Sequence, residues 1–176
     1  MRRPVLILPG YGNSGPAHWQ SLWEVAHPDF HRVAQRDWEN PVCSEWVSTL
    51  EARVSNAGPE TVIVAHSLAC LAVAHWAAGR HAPIRAALLV APPDPKGREF
   101  PSQAHGFGPV PTPRFAFPSI VVASSNDPYG STAHAATLAS AWGSSFVDIG
   151  PHGHINADSG LGDWPQGFAL LQPYLD

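Results

Sequence analysis

Five short apolar runs constrain this chain more than any other feature: residues 4–9 (PVLILP), 61–65 (TVIVA), 84–90 (IRAALLV), 119–123 (SIVVA) and 145–149 (SFVDI). They are rich in β-branched residues and do not alternate between apolar and polar. That is the signature of strands covered on both faces. Residues 31–35 form a weaker sixth candidate. Between the runs lie stretches of helical period. Val42, Trp46, Leu50 and Val54 recur every fourth position and share one helical face. Residues 68–79, 132–142 and 164–175 are further helical segments. Alternating strands and helices predict an α/β fold, a mostly parallel sheet with helices on both faces joined by right-handed crossovers.

One stretch breaks the alternation. Residues 92–118 hold eight of the 19 prolines together with Gly97, Gly106 and Gly108, which predicts a long irregular excursion. It follows the C-terminal end of a strand, the side on which open α/β sheets bind ligands. Loops of this length in a compact domain are usually functional or disordered. No repeat, linker or second core interrupts the pattern, so residues 1–176 read as one domain.

Composition excludes several classes. Only 10 residues are Lys or Arg against 14 Asp or Glu, and Lys96 is the sole lysine, so no phosphate-neutralising face and no nucleic-acid partner are expected. No apolar run approaches the roughly 18–20 residues of a membrane span. Arg2 and Arg3 precede an apolar stretch that stops at Pro9-Gly10 without a cleavage pattern, so no signal peptide is expected. Cys43 and Cys70 make no disulfide framework, and the expected setting is the reducing cytoplasm.

The chemistry concentrates after the second strong run. There a buried strand enters a turn bearing Ser67, and an apolar helix starts at once. This is the context of a nucleophile elbow, with Ala65 and Ala69 at the small-residue positions that usually hold glycine. The Leu68 amide, at the helix N-terminus, is placed to donate to an oxyanion. The competing role for Ser67 is that of a helix N-cap. A nucleophilic serine needs a base and an acid, expected later in the chain in the order acid, then histidine. Asp127 follows the run 119–123, and His152 and His154 follow the run 145–149. His154 has the better case, because it lies deeper in its loop and is followed by Ile155-Asn156.

The loop after the first strand carries Gly10, Gly12 and Gly15, and the amide of Tyr11 or Gly12 is expected to complete the oxyanion hole. Its glycine spacing fits no nucleotide-binding motif. His152, His154 and Asp158 invite a metal reading, but a third ligand cluster is missing; no metal and no cofactor are expected. Cys70 reads as a small buried hydrophobe, and His75 as helix packing. His18, Trp19, Tyr129 and Phe107 are the expected pocket walls.

These segments resemble the small serine hydrolases of the retinoblastoma-binding protein 9 and YdeN family. The resemblance is carried by residues 8–20 (LPGYGNSGPAHWQ), 65–70 (AHSLAC), 125–129 (SNDPY), 153–157 (GHINA) and 159–165 (SGLGDWP). It implies an α/β-hydrolase fold without a large cap and a Ser67–Asp127–His154 triad. The retinoblastoma contact motif L-x-C-x-E is only half present at Pro41-Val42-Cys43-Ser44-Glu45. The expected function is hydrolysis of a small carboxylic ester, thioester or amide through an acyl-enzyme. The alternative is a non-catalytic interaction module on the same fold, a reading that leans on the Pro-rich stretch. Rapid turnover of a small ester, abolished by Ser67→Ala, separates the two.

Overall fold

The computed structural model describes residues 3–176; Arg2, half of the Arg2-Arg3 pair considered above, lies outside the described residues. Six strands form one parallel sheet: β1 (Val5–Leu8), β2 (Phe30–Arg32), β3 (Val62–His66), β4 (Ala86–Val90), β5 (Ser119–Ala123) and β6 (Ser145–Asp148). Their order across the sheet is β2-β1-β3-β4-β5-β6. Five α-helices cover it: α1 (Trp19–Ala26), α2 (Cys43–Ala57), α3 (Leu68–Ala78), α4 (Thr132–Trp142) and α5 (Pro165–Leu171). The chain steps outward from β1 to β2, then returns to lay β3 on the other side of β1. That reversal opens a crevice at the C-terminal ends of β1 and β3, the usual position for a ligand site.

Period two along the strands divides the core between two faces. Leu6, Leu8, Ile63, Ala65, Ala87, Leu89, Val121 and Ala123 point to the face packed by α2, α3 and α4. Val5, Ile7, Val62, Val64, Ala86, Leu88, Val90, Ile120 and Val122 point to the opposite face, where Trp19 and Trp23 of α1 meet Trp164 and Leu171. Trp46, Leu50 and Val54 bury the inner side of α2, while Val42 stands just before it as the cap residue. Two expectations change. The fifth strong run, β6, is an exposed edge strand and not a strand covered on both faces: Phe146 is 37 % exposed. The region 164–175 is a helix followed by a short 3-10 turn, Gln172–Tyr174, because Pro173 cannot continue the α-helical bonds. Helix α1 has only two turns and follows the glycine-rich loop directly, so its period was too short to stand out.

The Pro-rich stretch joins β4 to β5 without a helix. Few of its own backbone groups can form a ladder, so donors elsewhere satisfy its carbonyls. The Cys43 amide donates to the His105 carbonyl at 2.9 Å. His75 Nε2 donates to that of Phe107 at 3.0 Å, and Trp142 Nε1 to that of Pro111 at 2.9 Å. Phe107, Phe115 and Phe117 insert into the α2–α4 side of the core. No helix among the described residues is long and apolar enough to cross a membrane.

Candidate active site

Ser67 occupies the single-residue turn between β3 and α3 with φ 56° and ψ −124°. A positive φ is uncommon for a residue with a Cβ and costs of order 1–3 kcal/mol, so surrounding structure must hold it. It does: the Ser67 amide donates to the Val90 carbonyl at 2.8 Å, and the Ser67 carbonyl accepts from the Cys70 amide at 2.9 Å. Ala65 and Ala69 are fully buried on either side. The serine hydroxyl makes no cap hydrogen bond to α3. It lies 2.7 Å from His154 Nε2 instead.

His154 Nδ1 is 2.9 Å from each oxygen of Asp127. A carboxylate can only accept, so Nδ1 carries the proton and Nε2 accepts from the serine hydroxyl. Asp127 also accepts the Tyr129 amide at 2.9 Å, a turn bond that fixes the carboxylate in plane. The imidazole therefore has one tautomer and one orientation.

The loop bearing His154 is held from several directions. His66 Nε2 donates to the His154 carbonyl at 2.9 Å, and Trp19 Nε1 donates to the Ile155 carbonyl at 2.8 Å. Ser124 Oγ accepts the His152 amide at 2.9 Å and donates to Asn126 Oδ1, which accepts the Gly153 amide at 2.7 Å. Ser159 Oγ donates to the His152 carbonyl. Ile155 is fully buried at φ 50°, an unfavourable backbone state for a β-branched residue, imposed by these bonds.

The β1–α1 loop crosses directly over the serine turn. A Cβ on Gly10 would lie 2.9 Å from both the His66 carbonyl and Ser67 Cβ, and 3.3 Å from the Leu68 amide nitrogen. Only glycine permits that approach; Gly12 and Gly15 have open space. Of the two expected oxyanion donors in this loop, Gly12 is excluded, because its amide donates to the Trp38 carbonyl at 2.9 Å. Tyr11 remains, bordering the same cavity as Leu68. Gln20, wholly buried, anchors the loop from below: its Nε2 reaches the Leu8 and Val64 carbonyls at 3.1 and 3.2 Å, and its Oε1 accepts from Ser14. Arg32 donates to the Ser14 carbonyl and pairs with Glu24.

These residues enclose a cavity of about 240 Å³ into which Ser67, Leu68, His154, Tyr11, His18 and Tyr129 all face. Two expected walls stand elsewhere. Trp19 is buried in the α1–α5 core against Trp23 and Trp164, where it serves the His154 loop through its indole N–H. Phe107 packs edge-on against Trp46 and borders a neighbouring cleft formed by the Pro-rich stretch. That stretch contributes Pro93, Glu99 and Pro101 to the serine cavity instead. His152 does not reach the serine; its role is the backbone bond to Ser124. Cys70 is buried, and burial raises its thiol above the usual range; burial pushes Cys43 up to about 12.

Of the three loop glycines expected to let the backbone pass close to the nucleophile, only Gly10 does so; the expectations missed Gln20, Ser124, Asn126 and Ser159 as supports. Gln20 carried one usable signal: a polar residue beside Trp19 and Trp23 on the apolar side of a helix needs buried partners. The serine supports carried none, since Ser and Asn are ordinary turn residues.

Two further histidines complete the site. His66 is buried, its ring 5.0 Å from that of His154 and 4.7 Å from that of His18. Burial, then the proximity of His154 and His18, hold it well below the usual histidine range. Burial, then Arg32, then His154 hold His18 down to about 4. Both rings are thus neutral near pH 7, and neither sets a positive charge beside His154 when that residue takes up a proton.

The sequence model of the family described as "Serine hydrolase" matches residues 5–173. No curated protein matches the sequence. Among solved structures, a protein of Pectobacterium atrosepticum named as a YdeN-like hydrolase is 31 % identical, over 98 % of this chain and 90 % of its own, with a TM-score of 0.85. The ydeN gene product of B. subtilis is 20 % identical over 98 % of both chains, with a TM-score of 0.72. An esterase of Thermogutta terrifontis, 15 % identical over 99 % of this chain and 91 % of its own, shares the fold at a TM-score of 0.68.

Proposed function

The chain belongs to the serine hydrolase family, within its YdeN-like members, and from that premise we propose that Ser67, His154 and Asp127 form its catalytic triad and cleave a small carboxylic ester, thioester or amide. One observation carries the reading: a serine held at positive φ, 2.7 Å from an imidazole whose far nitrogen is bound by a buried carboxylate. No single structural role needs all three features together.

The chemistry follows from the tautomer. Ser67 Oγ attacks the carbonyl carbon as its proton passes to His154 Nε2, and the carbonyl π electrons move to oxygen. The Leu68 amide and the Tyr11 amide are the donors available to that oxyanion. Leu68 is the first residue of α3, so its amide has no intrahelical acceptor and adds the positive end of the helix dipole. Asp127 stabilises the imidazolium. Collapse of the intermediate expels the alcohol, thiol or amine, which leaves with the proton from Nε2. Water then repeats the sequence on the acyl-enzyme, releasing the acid and free Ser67. Two reduced, buried cysteines suit a cytoplasmic setting.

A fluorophosphonate probe followed by mass mapping tests the assignment. The expected result is a single adduct on Ser67, absent in Ser67→Ala and slowed in His154→Ala. A folded wild type that neither labels nor hydrolyses small p-nitrophenyl esters would overturn it. The rival interaction-module reading then returns, although its main support is weaker, since the Pro-rich stretch is pinned to three helices and lines the cavity.

A further inference from the structure

We propose that His18 is a substrate-positioning residue whose Nε2–H donates to an uncharged oxygen carried on the α-carbon of the acyl group, so that α-oxygenated acyl esters are the preferred substrates. The inference rests on the hydrolase reading above and adds a substrate class to it.

His18 caps α1. Its Nδ1 accepts the Gln20 amide at 3.1 Å, so in the neutral ring the proton sits on Nε2, at the far side. Nε2 is buried and has no hydrogen-bond partner among the described residues. The residue is only 5 % exposed, yet it borders the cavity that also holds Ser67 and His154. Aromatic rings flank it: Trp19 at 5.2 Å and His66 at 4.7 Å between centroids. Neither is hydrogen-bonded to Nε2.

A buried donor left unmade is costly, and buried polar groups in native proteins are nearly always satisfied. The cavity is the remaining source of an acceptor. A phenylalanine would fill the same space without that penalty, although it could not cap the helix. The capping bond explains Nδ1 and leaves Nε2 without a role inside the protein. Because His18 is neutral down to about pH 4, it presents one N–H and no charge. That matches an ether, hydroxyl or carbonyl oxygen better than a carboxylate. The small cavity, about 240 Å³, limits how far that oxygen can lie from the carbon attacked by Ser67.

Two substitutions separate the ends of the ring. His18→Asn keeps an N-cap acceptor, Asn being among the best capping residues, but does not extend to the Nε2 position. His18→Gln carries an amide N–H to about that position and gives up the cap. The readout is the ratio of kcat/KM for p-nitrophenyl methoxyacetate over p-nitrophenyl butyrate, two acyl groups that differ by one oxygen for one methylene. Their intrinsic reactivities cancel when the ratio is compared between proteins. In His18→Asn the ratio falls about tenfold, the scale of one neutral hydrogen bond, with little change in melting temperature. In His18→Gln the ratio is retained while the melting temperature falls. An unchanged ratio in His18→Asn, or a loss in both variants that tracks stability, overturns the proposal in favour of a purely capping role. A uniform slowing of both esters at constant ratio overturns it in favour of oxyanion stabilisation.

A binding measurement independent of turnover keeps this distinct from the hydrolase reading. In Ser67→Ala, methyl methoxyacetate shifts the nitrogen-15 and proton signals of His18 Nε2–H, whereas methyl butyrate does not. If wild type fails to label with fluorophosphonate but this shift is seen, the triad assignment falls and the His18 assignment stands. If labelling succeeds and the shift is absent, the reverse holds.

Discussion

The turn that carries Ser67 and the loop that carries His154 meet at one hydrogen bond, yet they are built on different principles. The Ser67 turn is a local device. A buried strand, one residue at positive φ and a helix follow each other without a gap, and the bonds that hold the turn run to the adjacent strand and to the helix's own first turn. The His154 loop has no regular structure beneath it. It is held by side chains from α1, β3 and the β5–α4 loop, of which Trp19 is 136 positions away in sequence. A turn of the first kind tolerates little change at its own residues. A loop of the second kind is vulnerable at residues that never touch substrate.

That contrast can be tested, beginning with the bond where the two meet. Asp127→Asn keeps the shape of the acid but favours the wrong imidazole tautomer, and kcat should drop about 10⁴-fold with the fold intact. A smaller loss, with unchanged pH dependence, would mean that the loop positions His154 without the carboxylate. Gly10→Ala acts on the turn itself. Its Cβ cannot fit against the His66 carbonyl and Ser67 Cβ, so the backbone carrying the Tyr11 amide moves. The expected cost is that of one oxyanion donor, about 10²–10³ in kcat, with KM little changed. Normal kcat would remove Tyr11 from the hole.

Trp19→Phe addresses the loop at a distance. The Ile155 carbonyl loses its donor in a fully buried position, so unfolding in urea should show a loss of about 1–3 kcal/mol. Fluorophosphonate labelling of Ser67 should slow, because the strained Ile155 conformation relaxes and His154 drifts. Stability loss without slower labelling would show that the other supports suffice.

A further expectation concerns the pH dependence of stability. His18 and His66 have folded pKa values below the unfolded value of about 6.5, so the unfolded chain binds protons that the folded chain refuses. Stability is therefore complete above pH 6.5 and declines as pH falls toward 4, by up to about 1.4 kcal/mol per pH unit for each histidine. Urea titrations at pH 7 and pH 5 should show the decline, and His18→Asn should remove part of it.

Much of this was legible beforehand for identifiable reasons. Strands buried on both faces leave uninterrupted apolar runs, and four of the five strong runs became such strands. The fifth, β6, failed because apolar residues are also tolerated on an exposed edge strand, where Phe146 sits. That Ser67, Asp127 and His154 would come together was readable because each stands just past the end of a strand. The walls of the cavity were not. His18 and Trp19 are consecutive, and their opposite fates depend on where α1 starts: the cap residue turns toward the cavity and the first helical residue turns into the core.

The sequence by itself determined the alternation of strand and helix, the tight turn at Ser67 and the positions of the candidate acid and base. These are properties of neighbouring residues: side-chain branching, backbone preference and period. Only the tertiary structure decided that the Gly12 amide is engaged by Trp38, that Gly10 touches the serine turn, that Trp19 holds the His154 loop, and that His18 has one nitrogen engaged and one unpaired among the described residues. Each of those depends on which distant carbonyl lies within three ångströms of a donor. Chain order carries no record of that distance until the sheet is assembled.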